Sequence, residues 1–119
     1  MKRVIVCGGR DFKDRAKCFE TLKALLNDKD IEIVSGHASG ADSFGEDFAK
    51  ENGIKVTIFK PDWKRFGRAA GPIRNKSMLD YAAEKTPVVV AFWDGKSKGT
   101  KNMISLAEKV SAEVHVVSY

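Results

Sequence analysis

Five short runs rich in β-branched residues recur along this chain with helix-length segments between them, and that alternation limits the fold more than any other feature. The runs are RVIVC, IEIVS, KVTIF, PVVVAFW and EVHVVSY. Stretches of this kind suit strands buried in a sheet, and PVVVAFW, the most apolar, reads as a central strand covered on both faces. Between the runs the apolar spacing becomes helical. Ala16, Phe19, Leu22, Leu25 and Leu26 mark a first helix from Asp14 to Leu26. Phe44, Phe48 and Ala49 mark a second, with Gly53 placed to end it. A longer loop, KPDWKRFGRAAG, precedes a third helix with Pro72 in its first turn and Met78, Leu79 and Ala82 on its apolar side. Met103, Ile104, Ala107 and Val110 mark a fourth.

Strand–helix alternation of this regularity predicts an α/β fold, a Rossmann-like three-layer αβα sandwich on a five-stranded, mainly parallel sheet. Right-handed crossovers then place every strand-to-helix loop on one edge of the sheet. Ligands of such sheets bind beyond the carboxyl ends of the strands, where strand order reverses. The 119 residues are read as one domain, 1–119, without a repeat, a low-complexity segment or a linker. At 43% hydrophobic and 31% charged residues a real core can form, and no apolar run nears the roughly 20 residues of a membrane span. MKRVIVCGGRD carries no secretory pattern, so a cytoplasmic location without a membrane partner is expected. Cys7 and Cys18 are too few for a metal or disulfide framework and read as reduced, buried thiols, with Cys7 beside the glycines the one to check for reactivity. The net charge of +5 is spread over helices that also carry acids, and gives mild support to a phosphate-bearing partner.

Three strand-to-helix loops, in VIVCGGRDF, IVSGHASGAD and VVVAFWDGKSKGTKN, are unusually open. Glycine lets backbone N–H groups approach a ligand, and a helix N-terminus adds unpaired donors and a positive dipole end. Ser39 is placed to cap the second helix with Asp42 in a capping-box position, and Thr100 to cap the fourth behind Gly99. A single such turn would read as a plain capped turn; three on one sheet edge favour a nucleotide-like ligand. No standard motif names it. GGRDFK and SGHASG miss G-x-G-x-x-G, and GKSKGTK lacks the upstream glycine of a P-loop, so a conventional dehydrogenase or NTPase is disfavoured. A receiver-type domain is excluded because Gly8 and Gly9 stand where its acidic residues belong.

Single residues divide between site and structural roles. Arg10 suits a phosphate and Asp11 a ribose hydroxyl, against a salt bridge and a helix cap. His37, in a loop and off any apolar face, leans toward the site; His115, inside the last strand, toward structure. Arg74 and Asn75 open the third helix toward the same edge. Trp63 could stack on a base, but sealing the core is the stronger expectation; Asp94 is a ligand contact or a turn residue.

Together VIVCGGRDF, SGHASGAD, GPIRNKSML and FWDGKSKGTKN resemble the SLOG superfamily of Rossmann-like proteins, nearest its YspA-type, cpYpsA-related branch of small bacterial and phage proteins. The resemblance spans nearly the whole chain. Ser35, Gly36, Ala38 and Gly40, with the later Arg74 and Asn75, also look like the DNA-processing protein A family. The resemblance implies a pocket for nucleotides or nucleotide-derived ligands built from the first, second and fourth strand-to-helix loops, and a homodimer. Within the superfamily, Lonely-guy enzymes hydrolyse N-glycosidic bonds of nucleoside monophosphates with the glutamate of Pro-Gly-Gly-x-Gly-Thr-x-x-Glu. Here Gly99 and Thr100 match, but Met103 stands at the glutamate's place. An oxocarbenium-like transition state wants a carboxylate there.

The sequence reading is thus a nucleotide-binding sensor or accessory protein with no further cofactor and no metal. Its expected ligand contacts are Gly8, Gly9, Arg10, Asp11, Ser35, Gly36, His37, Ser39, Gly40, Asp42, Arg74, Asn75, Asp94, Gly95, Gly99 and Thr100. A hydrolase cleaving an N-glycosidic or phosphoester bond, with Asp11, Asp42 or Asp94 as base, ranks second. Single-stranded DNA binding ranks third, because only Trp63 and Phe66 offer stacking surfaces in loops.

Overall fold

Alternate residues of a strand face opposite sides of its sheet, so a strand apolar at every position has to be covered twice. In the computed structural model, which describes residues 1–26 and 30–119, this is how β1 (Lys2–Gly8), β2 (Ile31–Ser35) and β4 (Thr86–Trp93) are used. Val4, Val6, Ile33, Val88, Val90 and Phe92 face one side and pack on Cys18 and Leu22 of α1 (Arg15–Leu25) and Phe48 and Ala49 of α2 (Ala41–Glu51). Ile5, Val34, Val89 and Ala91 face the other and pack on Met78, Leu79 and Ala82 of α4 (Ala70–Ala83) and Met103, Ile104 and Ala107 of α5 (Lys98–Lys109). The result is the expected three-layer sandwich. Ala16 and Val110 depart from the expected apolar faces: both are exposed, and Val110 is the C-cap of α5.

The sheet runs β3-β2-β1-β4-β5, with β3 at Lys55–Ile58 and β5 at Glu113–Ser118, and every pairing is parallel. Val4 aligns with Ile33 on one side and Val88 on the other. The chain therefore builds outward from β1 to β3, then returns to place β4 on the opposite flank of β1. Strand order reverses between β1 and β4, and their loops leave for opposite faces of the sheet. Among the described residues no helix is long and apolar enough to cross a membrane.

One segment departs from its expected form. KPDWKRFGRAAG is largely helical: Asp62 accepts from the Arg65 amide at 3.1 Å and starts α3 (Trp63–Phe66), and a 3-10 turn (Gly67–Ala69) runs into α4. Gly67, at φ 54, makes the break between them without the steric cost another residue would carry. Arg74 and Asn75 consequently sit in the second turn of α4 and do not open it, although Pro72 lies in the first turn as expected.

Candidate ligand site

At the reversal point Gly8 of β1 lies opposite Phe92 of β4. A crevice of about 450 Å³ opens above them. Cys7, Gly8, Gly9, Arg10 and Asp11 line it from β1 and its loop, and Ala38 and Asp42 from the second loop and α2. Trp63, Gly71, Arg74, Asn75 and Met78 line it from α3 and α4, and Ser97, Gly99, Thr100 and Met103 from the fourth crossover. A second chamber of about 440 Å³ adjoins it, lined by Gly36, His37, Ser39, Lys60 and Pro61. Arg10, Ala38, Trp63 and Arg74 border both chambers. Of the expected contacts, Ser35, Gly40, Asp94 and Gly95 line neither.

The glycines divide into two kinds. A Cβ on Gly8 would lie 2.5 Å from the Phe92 carbonyl oxygen and 2.8 Å from Ala41 Cβ; one on Gly40, at φ 80, would lie 2.4 Å from the Gly9 carbonyl oxygen. Their bare backbone lets the end of β1 lie close to β4 and α2, and the second loop press on the first. A Cβ on Gly99 would meet nothing within 4 Å, so that glycine is open at the start of α5. The helix caps differ from expectation in the same region. Gly40 occupies the N-cap of α2 without a side-chain bond, and Ser39 stands outside, exposed. Ser97, not Thr100, caps α5, accepting from the Thr100 amide at 3.4 Å, while buried Thr100 returns a hydroxyl contact at 3.1 Å. The chain turns later than the side-chain pattern suggested at α2, where Gly40 packs on the Gly9 carbonyl, and earlier at α5, where the Ser97 hydroxyl makes the cap.

Arg74 is the best-positioned cation. Its Nη1 donates to the Gly36 carbonyl at 2.6 Å and its Nε to Asn75 Oδ1 at 3.1 Å. Asn75, buried, is itself held by donating to the Gly99 carbonyl at 3.2 Å and Asn102 Oδ1 at 3.0 Å. One amide side chain thus ties α4 to α5 and aims the guanidinium. Burial lowers the Arg74 pKa, opposed by the charge of Asp42 nearby.

Asp42 is only 4% exposed, and its carboxylate accepts from the Ala38 amide at 3.4 Å. Burial pushes its pKa up to about 6 from an ordinary 3.8, against the opposing pull of the Ala38 amide and Arg74. A carboxyl raised in the folded state binds more protons there than in the unfolded chain, so it lowers stability as pH rises through that window. We expect stability to fall between about pH 4 and pH 6 by an amount on the order of 3 kcal/mol, and Asp42→Asn to abolish that slope. Chemical denaturation of both proteins across pH 4–7 measures it; a native slope of the opposite sign, retained in the variant, would assign the effect elsewhere.

The remaining candidates fall as follows. Arg10 is exposed at the crevice mouth and has no partner among the described residues. Asp11 is not a helix cap, a role held by Asp14; it accepts from the Tyr119 hydroxyl at 2.6 Å. His37 takes φ 60 with Nδ1 at 3.0 Å from Glu46, which also accepts from the buried Ser35 hydroxyl at 2.7 Å. Asp94 accepts from the amides of Ser97 and Lys96, each at 2.8 Å, which hold its carboxyl below the usual range; it is a turn residue, with Gly95 at φ 81 beside it. Trp63 is 50% exposed and flanks both chambers, so the expectation that it seals the core is overturned. Burial pushes the Cys7 thiol far above its ordinary range, which leaves it protonated and unreactive. His115 bonds Glu113 at 2.6 Å on β5, away from the crevice.

Glu46, Lys60 and Tyr119 were missed in the sequence. Each had a signal: Glu46 lies four residues after Asp42 on one helix face, Lys60 lies two residues past β3 and Tyr119 directly after β5, hence both at the same sheet edge.

Comparison with known proteins agrees with this architecture. The YspA, cpYpsA-related SLOG family matches residues 2–66, more than half of the chain. The Gene 61 protein of Mycobacterium phage D29 is 32% identical over 121 aligned positions, covering 96% of this chain and 94% of that protein. Among solved structures, DNA processing protein A from Streptococcus pneumoniae superposes with a TM-score of 0.52 at 21% identity. That superposition covers 98% of this chain but only 58% of the other, and at such identity it speaks of the fold.

Proposed function

The chain belongs to the YspA, cpYpsA-related SLOG family, and from that premise we propose that it binds a nucleotide or nucleotide-derived ligand, as a sensor or accessory protein. The observation that carries the reading is the crevice at the β1/β4 reversal. It combines the half-buried guanidinium of Arg74, the partnerless Arg10 and the bare start of α5 at Gly99. The open backbone at Gly99, in the first turn of α5, suits phosphate oxygens, with Arg10 and Arg74 as countercharge; the Gly9 and Thr100 amides are already bonded to the Phe92 carbonyl and Ser97 Oγ. Asp11 and Asp42 suit ribose hydroxyls, and the exposed indole of Trp63 offers a base a stacking face worth about 1–3 kcal/mol.

Native mass spectrometry against a nucleotide panel tests this directly. We expect a stoichiometric adduct, weakened roughly tenfold or more by Gly99→Val, whose Cβ would stand at the α5 N-terminus with no other atom within 4 Å. An adduct unchanged in Gly99→Val would remove the site from this crevice.

A hydrolase is supported by Asp42, a carboxyl in the crevice raised to about 6 and so fit to exchange a proton near neutrality. Met103, 1% exposed beneath the crevice, supplies no carboxylate where the related enzymes use one. Release of free base that Asp42→Asn stops would install this reading over simple binding. Single-stranded DNA is the third, supported by exposed Trp63 and Phe66 among Lys60, Lys64, Arg65 and Arg68; it requires oligonucleotide affinity that falls steeply with salt. The homodimer implied by resemblance is tested by the mass of the intact species in the same experiment.

A further inference from the structure

We propose that the second chamber is an anion compartment, receiving the distal phosphate of a ligand whose proximal phosphate lies at Arg10 and Arg74, so that the favoured ligand is a nucleotide bearing a pyrophosphate. The inference rests on the nucleotide reading above and deepens it.

The two chambers differ in charge. Asp11 and Asp42 line the first, whereas among the described residues no carboxylate lines the second. Three cations border the second: Arg10, Lys60 and Arg74. Lys60 is exposed and, like Arg10, makes no hydrogen bond or ion pair among the described residues. Among the described residues Arg74 is hydrogen-bonded only to a carbonyl and an amide oxygen, and the Asp42 charge acts on it from the first chamber without a direct ion pair. Three cations, two of them without any partner among the described residues, around one concave space attract an anion far more strongly than a sugar or a base.

The geometry joins the chambers into one site. Arg10 and Arg74 stand on the boundary and can bind a phosphate from either side. Lys60 belongs to the second chamber alone. His37 walls the same chamber at φ 60, a conformation non-glycine residues seldom adopt, and it is kept there by the Glu46 carboxylate and by the Ser35 hydroxyl, which accepts its amide at 3.1 Å. A buried serine and a carboxylate thus hold the second loop open around the space. A monophosphate held at the boundary would leave Lys60 unused; a diphosphate places a second phosphate in the chamber that Lys60 lines.

Calorimetric titration with matched nucleoside mono- and diphosphates and with inorganic pyrophosphate, at about 0.15 M salt to screen distant charges, tests the compartment. Native protein and Lys60→Ala are compared, with thermal melting as the check on folding. We expect each diphosphate to bind at least roughly tenfold tighter than its monophosphate, and Lys60→Ala to erase that difference while leaving the monophosphate unmoved. Equal affinities in the native protein, or a Lys60→Ala loss shared equally by both, would overturn the proposal. Should no nucleotide bind, the nucleotide reading fails separately, and pyrophosphate decides: binding that Lys60→Ala removes upholds the compartment, and absence of binding ends it.

Discussion

Gly36→Ala is expected to leave the fold standing and to weaken ligand binding by roughly tenfold to a hundredfold, the range of a lost hydrogen bond to a charged group. The reason lies in what the new methyl group meets. Its Cβ would stand 2.5 Å from Arg74 Nη1, 2.7 Å from Arg74 Cζ and 3.0 Å from Asp42 Oδ2. All three atoms are at the ends of side chains, which can move when backbone cannot. Gly36 is also not among the positive-φ residues, so alanine fits its backbone. The guanidinium therefore swings off the Gly36 carbonyl and out of the position that Asn75 gives it. Stability loses about one net hydrogen bond, close to 1 kcal/mol, or about 4 °C in Tm for a domain of this size. Titration calorimetry and thermal melting separate the two effects. Arg74→Ala should reproduce the binding loss, and adding it to Gly36→Ala should cost nothing more, since both remove one interaction. Native affinity in Gly36→Ala would show that Arg74 does not touch the ligand.

The contrast between what the sequence displayed and what it concealed follows from distance along the chain. Strands and helices rest on local apolar periodicity, which is why Arg15–Leu25 lies within one residue of the expected helix at each end. The parallel order and the shared loop edge follow from crossover handedness, so the meeting of Gly8, Asp42, Arg74 and Thr100 in one crevice was legible in the sequence. What stayed hidden depends on contacts between distant segments. Ser39 and Thr100 look like caps locally, but the seating of Gly40 on Gly9 and the hydroxyl of Ser97 decide where those helices start. Lys60 carries no glycine signature, and only the folded loops show that it shares a chamber with His37. The openness of the glycine loops had two causes that sequence could not separate, bare backbone for a ligand and bare backbone for a neighbouring loop.

Gly40→Ala tests the second cause, and it is expected to be the most destabilising of these substitutions. Gly40 sits at φ 80 and ψ −130, a region essentially reserved for glycine, where another residue costs about 1–3 kcal/mol. Its Cβ would also lie 2.4 Å from the Gly9 carbonyl oxygen and 3.1 Å from that of Arg10. These obstacles are backbone, so relief requires the first and second loops to part, at a further cost of about 1–3 kcal/mol. Together the two effects come to about 2–6 kcal/mol, a large share of the roughly 5–15 kcal/mol that holds a domain folded, and about 8–24 °C in Tm. Gly95→Ala is the matched control. Gly95 has nearly the same φ, 81, but nothing lies within 4 Å of its Cβ, so it should lose only the conformational part, about 1–3 kcal/mol. The difference between the two variants in denaturant unfolding measures how tightly the loops are wedged. Equal losses would mean that the Gly9–Gly40 contact contributes nothing, and that the crevice walls are held by the sheet and helices alone.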